Sequence, residues 1–180
     1  SNFLAWLLAS ALWTSDKLGL ARFDCVQPRY NMLFREIENE LLPLCRHYGV
    51  GVIPYNPLAG GFLTGKYTQN AEPSADTRFG LAGRAGHIYK QRYWQEEQFG
   101  AVAHLQQFFT GRNKPLAQVA IAWVLAQSDI TSPIVGATSS EQLKQSLPAV
   151  DLKLDEEEMK FCNEVWFNLP RLSDPSVALR

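Results

Sequence analysis

Apolar residues run from Phe3 to Trp13 with only Ser10 interrupting, then resume at Leu18 and Leu20 across the polar stretch 14–17. That pattern predicts a core-facing helix over Leu4–Lys17. The segments Glu36–Tyr48 and Leu116–Gln127 also read as helices. After each of these three helices comes a short apolar run that reads as a buried strand: Phe23–Gln27, Val50–Tyr55 and Ser132–Gly136. Gly19 and Gly49 stand where the first two helices should stop in left-handed caps. Pro43 should kink the second helix or open a fresh first turn. From about Lys90 to Phe109, residues Tyr93, Phe99, Val102, Leu105 and Phe109 fall roughly in helical register. Ser140–Leu147 reads as a short helix capped by Ser139 or Ser140. Asp155–Phe167 reads as another, whose acidic run Glu156–Glu158 is expected to be a solvated first turn. Helix alternating with short apolar strand predicts an α/β fold with parallel pairing.

The three strands end alike, in Gln27-Pro28, Tyr55-Asn56-Pro57 and Gly136-Ala137-Thr138. Polar, Gly or Pro residues directly after an apolar run mark a carboxyl edge, where ligands bind in β/α barrels and doubly wound sheets. Between the second and third strands, Pro57 to about Lys114 is a long connection. Its first part, through about Gly86, is rich in Gly, Ser, Thr and charge and reads as an extended loop. Connections beyond ~15 residues are often lids or binding loops.

The 180-residue chain is 46% hydrophobic and carries 17 basic against 18 acidic side chains. This is ordinary for a globular protein, and a formal charge of −1 gives no long-range pull toward nucleic acid or an anionic membrane. Cys25, Cys45 and Cys162 are too sparse for a disulfide framework and fit a reducing cytoplasm. No two of them sit at metal-finger spacing, and His47, His87 and His104 do not cluster with them, so no metal site is expected. The apolar start lacks a basic flank and falls far short of the ~20 residues a bilayer needs, so it is read neither as a signal peptide nor as a membrane span.

Gly60-Gly61-Phe62-Leu63-Thr64-Gly65-Lys66 matches the phosphate-loop spacing, yet Tyr67 stands where magnesium coordination needs a hydroxyl on Ser or Thr. Thr68–Pro73 is poor helix material, so no helix start backs the motif. What survives is flexible backbone and a lysine beside a strand end, able to embrace some phosphate, or a plain glycine turn. Tyr55 is either core or rim packing, or a flat platform for a heterocycle. Gln27 is a capping side chain or a hydrogen-bonder to a ligand. Gly136-Ala137-Thr138-Ser139-Ser140 is a capped helix or a phosphate seat. No nucleophilic triad or paired-carboxylate spacing stands out.

Several segments, in order, resemble the carboxyl-terminal half of an aldo-keto reductase: Ser1-Asn2-Phe3, Gln27-Pro28-Arg29-Tyr30-Asn31, Gly51 through Gly61, Leu63-Thr64-Gly65-Lys66-Tyr67, Gln118 through Leu125, Pro133 through Thr138, and Ser140-Glu141-Gln142-Leu143. The likeness leans toward the bacterial branch related to potassium channel β subunits. It implies an α/β fold of the (β/α)8 TIM-barrel type, with residues 1–154 as the second half of the barrel and 155–180 as a C-terminal helix and tail. It also implies NADP(H)-dependent reduction of aldehydes or ketones. Ser1, Asn2 and Gln27 would hold the nicotinamide carboxamide and Tyr55 would stack on the ring. Asn56, Pro57, Leu58, Ala59, Gly60 and Lys66, joined by Arg78, would line pyrophosphate and ribose. Gly136, Thr138, Gln142, Gln145 and Ser146 would bind the adenosine end.

Asn56 stands where the family commonly has Ser. Many members place Lys or Arg near Ser139 or Ser140, where the 2′-phosphate would sit, which leaves NAD as an alternative to NADP. The resemblance places the catalytic Asp, Tyr, Lys and His upstream of Ser1, so no catalytic residue is assigned here. An isolated half-barrel would expose strand edges and an apolar face. The amino-terminal half is therefore expected as another polypeptide, as a segment lost from a longer protein, or as a role taken by self-association. The alternatives to a reductase are a non-enzymatic nucleotide-binding regulatory subunit and an inactive fragment.

Overall fold

The structure, a computed structural model, describes residues 1–171; the predicted tail beyond them lies outside the described residues. The first helix, α1 (Ala5–Leu18), ends at Gly19 with φ 64°, and α2 (Leu41–Tyr48) ends at Gly49 with φ 62°. Both left-handed stops stand where the sequence put them. The predicted helix over 36–48 is divided: Glu36–Glu38 is a 3₁₀ turn, and Pro43 sits in the first turn of α2, where its missing N–H leaves no helical bond unmade.

The strands are shorter than expected. Among the described residues, regular pairing joins only β1 (Cys25–Val26) and β2 (Gly51–Val52), parallel, with Cys25 opposite Gly51. Isolated parallel bridges extend the ladder to Arg29–Tyr55 and Tyr55–Ile134, so the third strand, expected over Ser132–Gly136, is reduced to one bridge. Proline explains the shortening. Pro54 has no N–H to offer the third segment, although its carbonyl accepts from Ile134 N at 2.8 Å. The neighbouring N–H of Val52 donates to the Thr131 hydroxyl at 3.0 Å instead of to a backbone carbonyl.

Burial alternates along these strands. Val26, Val50 and Val52 are buried beneath α1 and α2 together with Leu8, Leu12, Leu41 and Cys45. Cys25 and Ile134 are exposed, and Gln27, Ile53 and Tyr55 are half-buried. Helices therefore cover one face of the parallel ladder and leave the other open, whereas parallel sheets ordinarily have both faces covered.

The segment after β2 is no open loop. It contains a 3₁₀ stretch, Ala59–Thr64, and helices α3 (Arg84–Tyr93) and α4 (Glu96–Thr110); the single helix expected from Lys90 breaks at Trp94-Gln95. Phe62, Phe79 and Tyr93 are fully buried and stack or meet edge-on with Tyr67, Trp94 and Phe99. This aromatic cluster folds the connection onto the main core, a result of packing that alternation in the sequence does not display. Helix α5 (Leu116–Leu125) runs through that core with Trp123 at its centre, and α6 (Ser140–Ser146) and the 3₁₀ turn Leu147–Val150 follow.

The last helix, α7 (Glu156–Asn168), packs Cys162 and Val165 into the same core. Its acidic start corrects the expectation of a wholly solvated turn. Glu158 is 1% exposed, receives Lys114 Nζ at 2.6 Å, and closes a reciprocal cap with Asp155. A buried carboxylate needs such a partner.

Candidate cofactor site

The carboxyl ends of the ladder gather at Tyr55. Its N–H donates to Pro28 O at 2.9 Å and its carbonyl accepts from Tyr30 N at 3.3 Å, so the backbone beneath the ring is held from β1's side. The hydroxyl accepts from Asn2 Nδ2 at 3.0 Å. Asn2, at φ 53°, donates its backbone N–H to Gln27 O at 3.2 Å, which places it beside β1 as a further rung. Asn2, Gln27 and Tyr55 are thus brought together at one edge; Ser1 is exposed next to them.

The chain then turns sharply. Asn56 (φ 68°) and Ala59 (φ 51°) are both left-handed, as are Gly60, Gly61 and Gly65. Asn56 Oδ1 accepts from Gly60 N at 2.6 Å and its carbonyl accepts from Ala59 N at 2.9 Å. Gly60 could carry no side chain, since a Cβ there would come within 2.7 Å of the Tyr89 ring. Pro57 is buried, Ala59 is fully enclosed, and Leu58 packs on the core.

Lys66 is exposed, with Nζ 3.8 Å from the position a Gly61 Cβ would take. No helix follows it, as the reading of 60–66 required. Beside it the Tyr67 hydroxyl is buried without a hydrogen-bond partner among the described residues. Arg78 is exposed in the following turn. The Asp76 carboxyl there is held below its ordinary value, chiefly by the Ser74 hydroxyl, with a smaller contribution from Lys66.

At the third strand's end, Gly136, Thr138, Gln142 and Gln145 are exposed and Ser146 is half-buried. Ser139 caps α6 by accepting from Gln142 N. Gln142 Oε1 accepts from both Thr138 N (2.9 Å) and Thr138 Oγ1 (3.1 Å), and Ser146 Oγ donates to Gln142 O at 3.0 Å. Gln145 O accepts from Gln118 Nε2 at 2.9 Å, tying α6 to α5.

Two residues support this site although the sequence reading gave them no role. Asn31, fully buried, donates through Nδ2 to Asn56 O and to the Tyr93 hydroxyl, both at 3.0 Å. Tyr93 reaches the same spot from α3. The sequence signal was a polar Asn inside the apolar run 30–34, which must find partners when buried. Burial pushes the Tyr93 hydroxyl above its ordinary value, and burial with the Glu38 carboxylate does the same to Tyr30.

A cleft of about 540 Å³ opens beside Asn2, lined among others by Phe3, Arg29, Phe34, Trp166 and Arg171. Among the described residues, no group of three or more His, Cys, Asp or Glu is arranged to hold a metal ion. In the same residues, no helix is long and apolar enough to cross a membrane.

The arrangement combines a flat ring, a row of amides and a glycine turn with a lysine along one edge. The model of the aldo/keto reductase family matches residues 1–166. The chain is 36% identical to an uncharacterized oxidoreductase, YrpG, of Bacillus subtilis, over 92% of the chain and 47% of that protein. It is 36% identical to a probable voltage-gated potassium channel subunit beta of Arabidopsis thaliana, over 84% of the chain and 46% of that protein. It is 32% identical to an NADH-specific methylglyoxal reductase of Escherichia coli, over 83% of the chain and 44% of that protein. The chain spans about half the length of these curated relatives. The family consists of oxidoreductases built on a (β/α)8 barrel that generally use NAD(P)H. This chain belongs to the aldo/keto reductase family.

Proposed function

We propose that this chain is the cofactor-binding half of an aldo-keto reductase that reduces aldehydes or ketones with NADP(H) once an amino-terminal half completes the barrel. The observation that carries the reading is the position of Tyr55 at the carboxyl edge, tied to Asn2 and adjoining both Gln27 and the 56–66 turn. When bound, the nicotinamide supplies a hydride to a carbonyl carbon.

The chain's own residues hold and orient it. Asn2 and Gln27 present amide groups to the carboxamide, and the Tyr55 ring covers one face. The backbone of 56–60 with Lys66 receives the pyrophosphate, with Arg78 beside it. Gly136, Thr138, Gln142, Gln145 and Ser146 take the adenosine end. The fit rests on a feature of this chain: beside Lys66, the Tyr67 hydroxyl is buried without a hydrogen-bond partner among the described residues. Proton donation falls to the amino-terminal half, because the hydroxyls of Tyr30 and Tyr93 are buried and engaged within this half. The three free thiols suit a reducing cytoplasm.

Ser139 and Ser140 in place of a basic pair make NAD the competing cofactor, and one relative is named for NADH. The relative named as a channel subunit supports a second reading, a nucleotide-binding regulatory subunit. The test is a fluorescence titration of NADPH and NADH with this chain, alone and mixed with an amino-terminal half-barrel from a family member. Saturable change in nucleotide emission, weakened at least about tenfold by Tyr55→Ala, is expected. No change in either sample removes the cofactor assignment. Carbonyl turnover by the mixture separates the reductase from the regulatory subunit.

A further inference from the structure

The turn that follows Tyr55 is conformationally costly and is held from outside. Asn56 and Ala59 both take left-handed backbone angles that L residues with a side chain avoid. Asn56 is engaged at every polar side-chain atom: Oδ1 receives Gly60 N at 2.6 Å, and Nδ2 donates to the Tyr93 hydroxyl at 3.3 Å. The same hydroxyl receives Asn31 Nδ2 at 3.0 Å, while Asn31 Nδ2 also reaches Asn56 O at 3.0 Å and Asn31 Oδ1 accepts from Leu33 N at 3.0 Å. Tyr93 is fully buried, with its ring among Phe62 and Phe79. It arrives from the end of α3, in the long connection, far along the chain from the turn it touches.

From this network we infer that Tyr93 is a positioning residue: its hydroxyl, with Asn31, clamps Asn56 and keeps the 56–60 backbone in the shape that receives a pyrophosphate. The inference rests on the proposed cofactor reading and adds to it a residue outside the site. The side chain at position 56 suits this role. Asn tolerates the left-handed angle, and its two-ended amide can cap Gly60 while answering Tyr93, which a single hydroxyl cannot do at that span.

The experiment compares the chain with its Tyr93→Phe variant, which keeps the ring packing and removes one oxygen. Two ligands are titrated by displacement of NADPH: 2′-phospho-ADP-ribose, which carries the pyrophosphate, and adenosine 2′-phosphate, which does not. The variant should bind the first about tenfold more weakly and the second unchanged. Without nucleotide, amide exchange should quicken in 56–66 and stay the same in α5. Equal weakening of both ligands, or none while the parent chain binds NADPH, overturns the clamp. If the parent chain binds no nucleotide, the cofactor reading fails by itself and exchange alone decides: unchanged protection of 56–66 overturns the clamp. Should Tyr93→Phe not fold, Asn31→Ala removes the other half of the bridge and must show the same split.

Discussion

Among the residues, the three cysteines differ most in their surroundings. Cys25 is exposed on the open face of the ladder, while Cys45 and Cys162 are buried. Burial pushes the Cys45 thiol up to about 11 and the Cys162 thiol up to about 12, with Asp129 and Glu158 adding to the respective shifts. Thiolates are the reactive form, so at pH 8 one thiol should react rapidly with a disulfide reagent and Cys25→Ser should abolish that phase. Fast labelling of two thiols would contradict the burial. Asp129 offers a pH test. Both Arg46 Nε (2.7 Å) and Nη2 donate to its carboxylate, holding the carboxyl below its ordinary value. With the folded value depressed, the pair's contribution is complete above the ordinary carboxylate value and disappears as pH falls through the depressed one. Arg46→Met should therefore lower stability slightly at neutral pH and not at all in strong acid. Denaturant midpoints at both pH values measure this, and an unchanged difference in acid would exclude the pair as the cause.

Helix α7 shows how elements are fastened. Its start carries the Asp155–Glu158 cap, and Lys114 is clamped onto Glu158. Further along, Asn163 Oδ1 accepts from Trp123 Nε1 at 3.1 Å and Arg35 Nη1 at 2.9 Å. Arg35 is in turn held by Glu38, which accepts from the Tyr30 hydroxyl. Asp155→Ala should cost about 1 kcal/mol for the lost cap. Glu158→Ala should cost about 3 kcal/mol, because it also strands a half-buried lysine. Urea unfolding of the two variants should rank them in that order. At this scale most of the helices could be read in advance from apolar spacing and from the glycines at 19 and 49. The strands are shorter than hydrophobicity alone suggests because Pro28 has no N–H for the β1–β2 ladder and Pro54 has none for the third segment. The helical stretch from Lys90 to Phe109 is also legible, but its earlier start at Arg84 and its break at Trp94-Gln95 are not, because Phe62, Phe79 and Tyr93 meet only in space.

For the whole molecule, the decisive feature is asymmetry of burial. On α1, Trp6 and Trp13 are 57% and 63% exposed, and at the opposite end Leu143, Leu147 and Val150 are open along with Ile134. On the proposed reading, an amino-terminal half would cover these two apolar flanks, with a second copy of this chain as the competing occupant. Mixing with an amino-terminal half-barrel should shield Cys25 from thiol reagents and reduce acrylamide quenching of tryptophan emission. Sedimentation of the chain by itself would show whether it associates instead. Unchanged Cys25 labelling in the mixture would argue against closure around this face.

The local order of helix, cap and strand, and the glycine turn after Tyr55, follow from residue type and spacing, because backbone propensity and alternation act over a few neighbours. So does the family likeness, which is carried by short segments in a fixed order. Folding alone decides that Tyr93 and Asn31 converge on Asn56, that Glu158 is buried, and that the long connection closes into an aromatic core. Those contacts join positions tens of residues apart, and the burial that makes each polar partner obligatory exists only once the elements have packed.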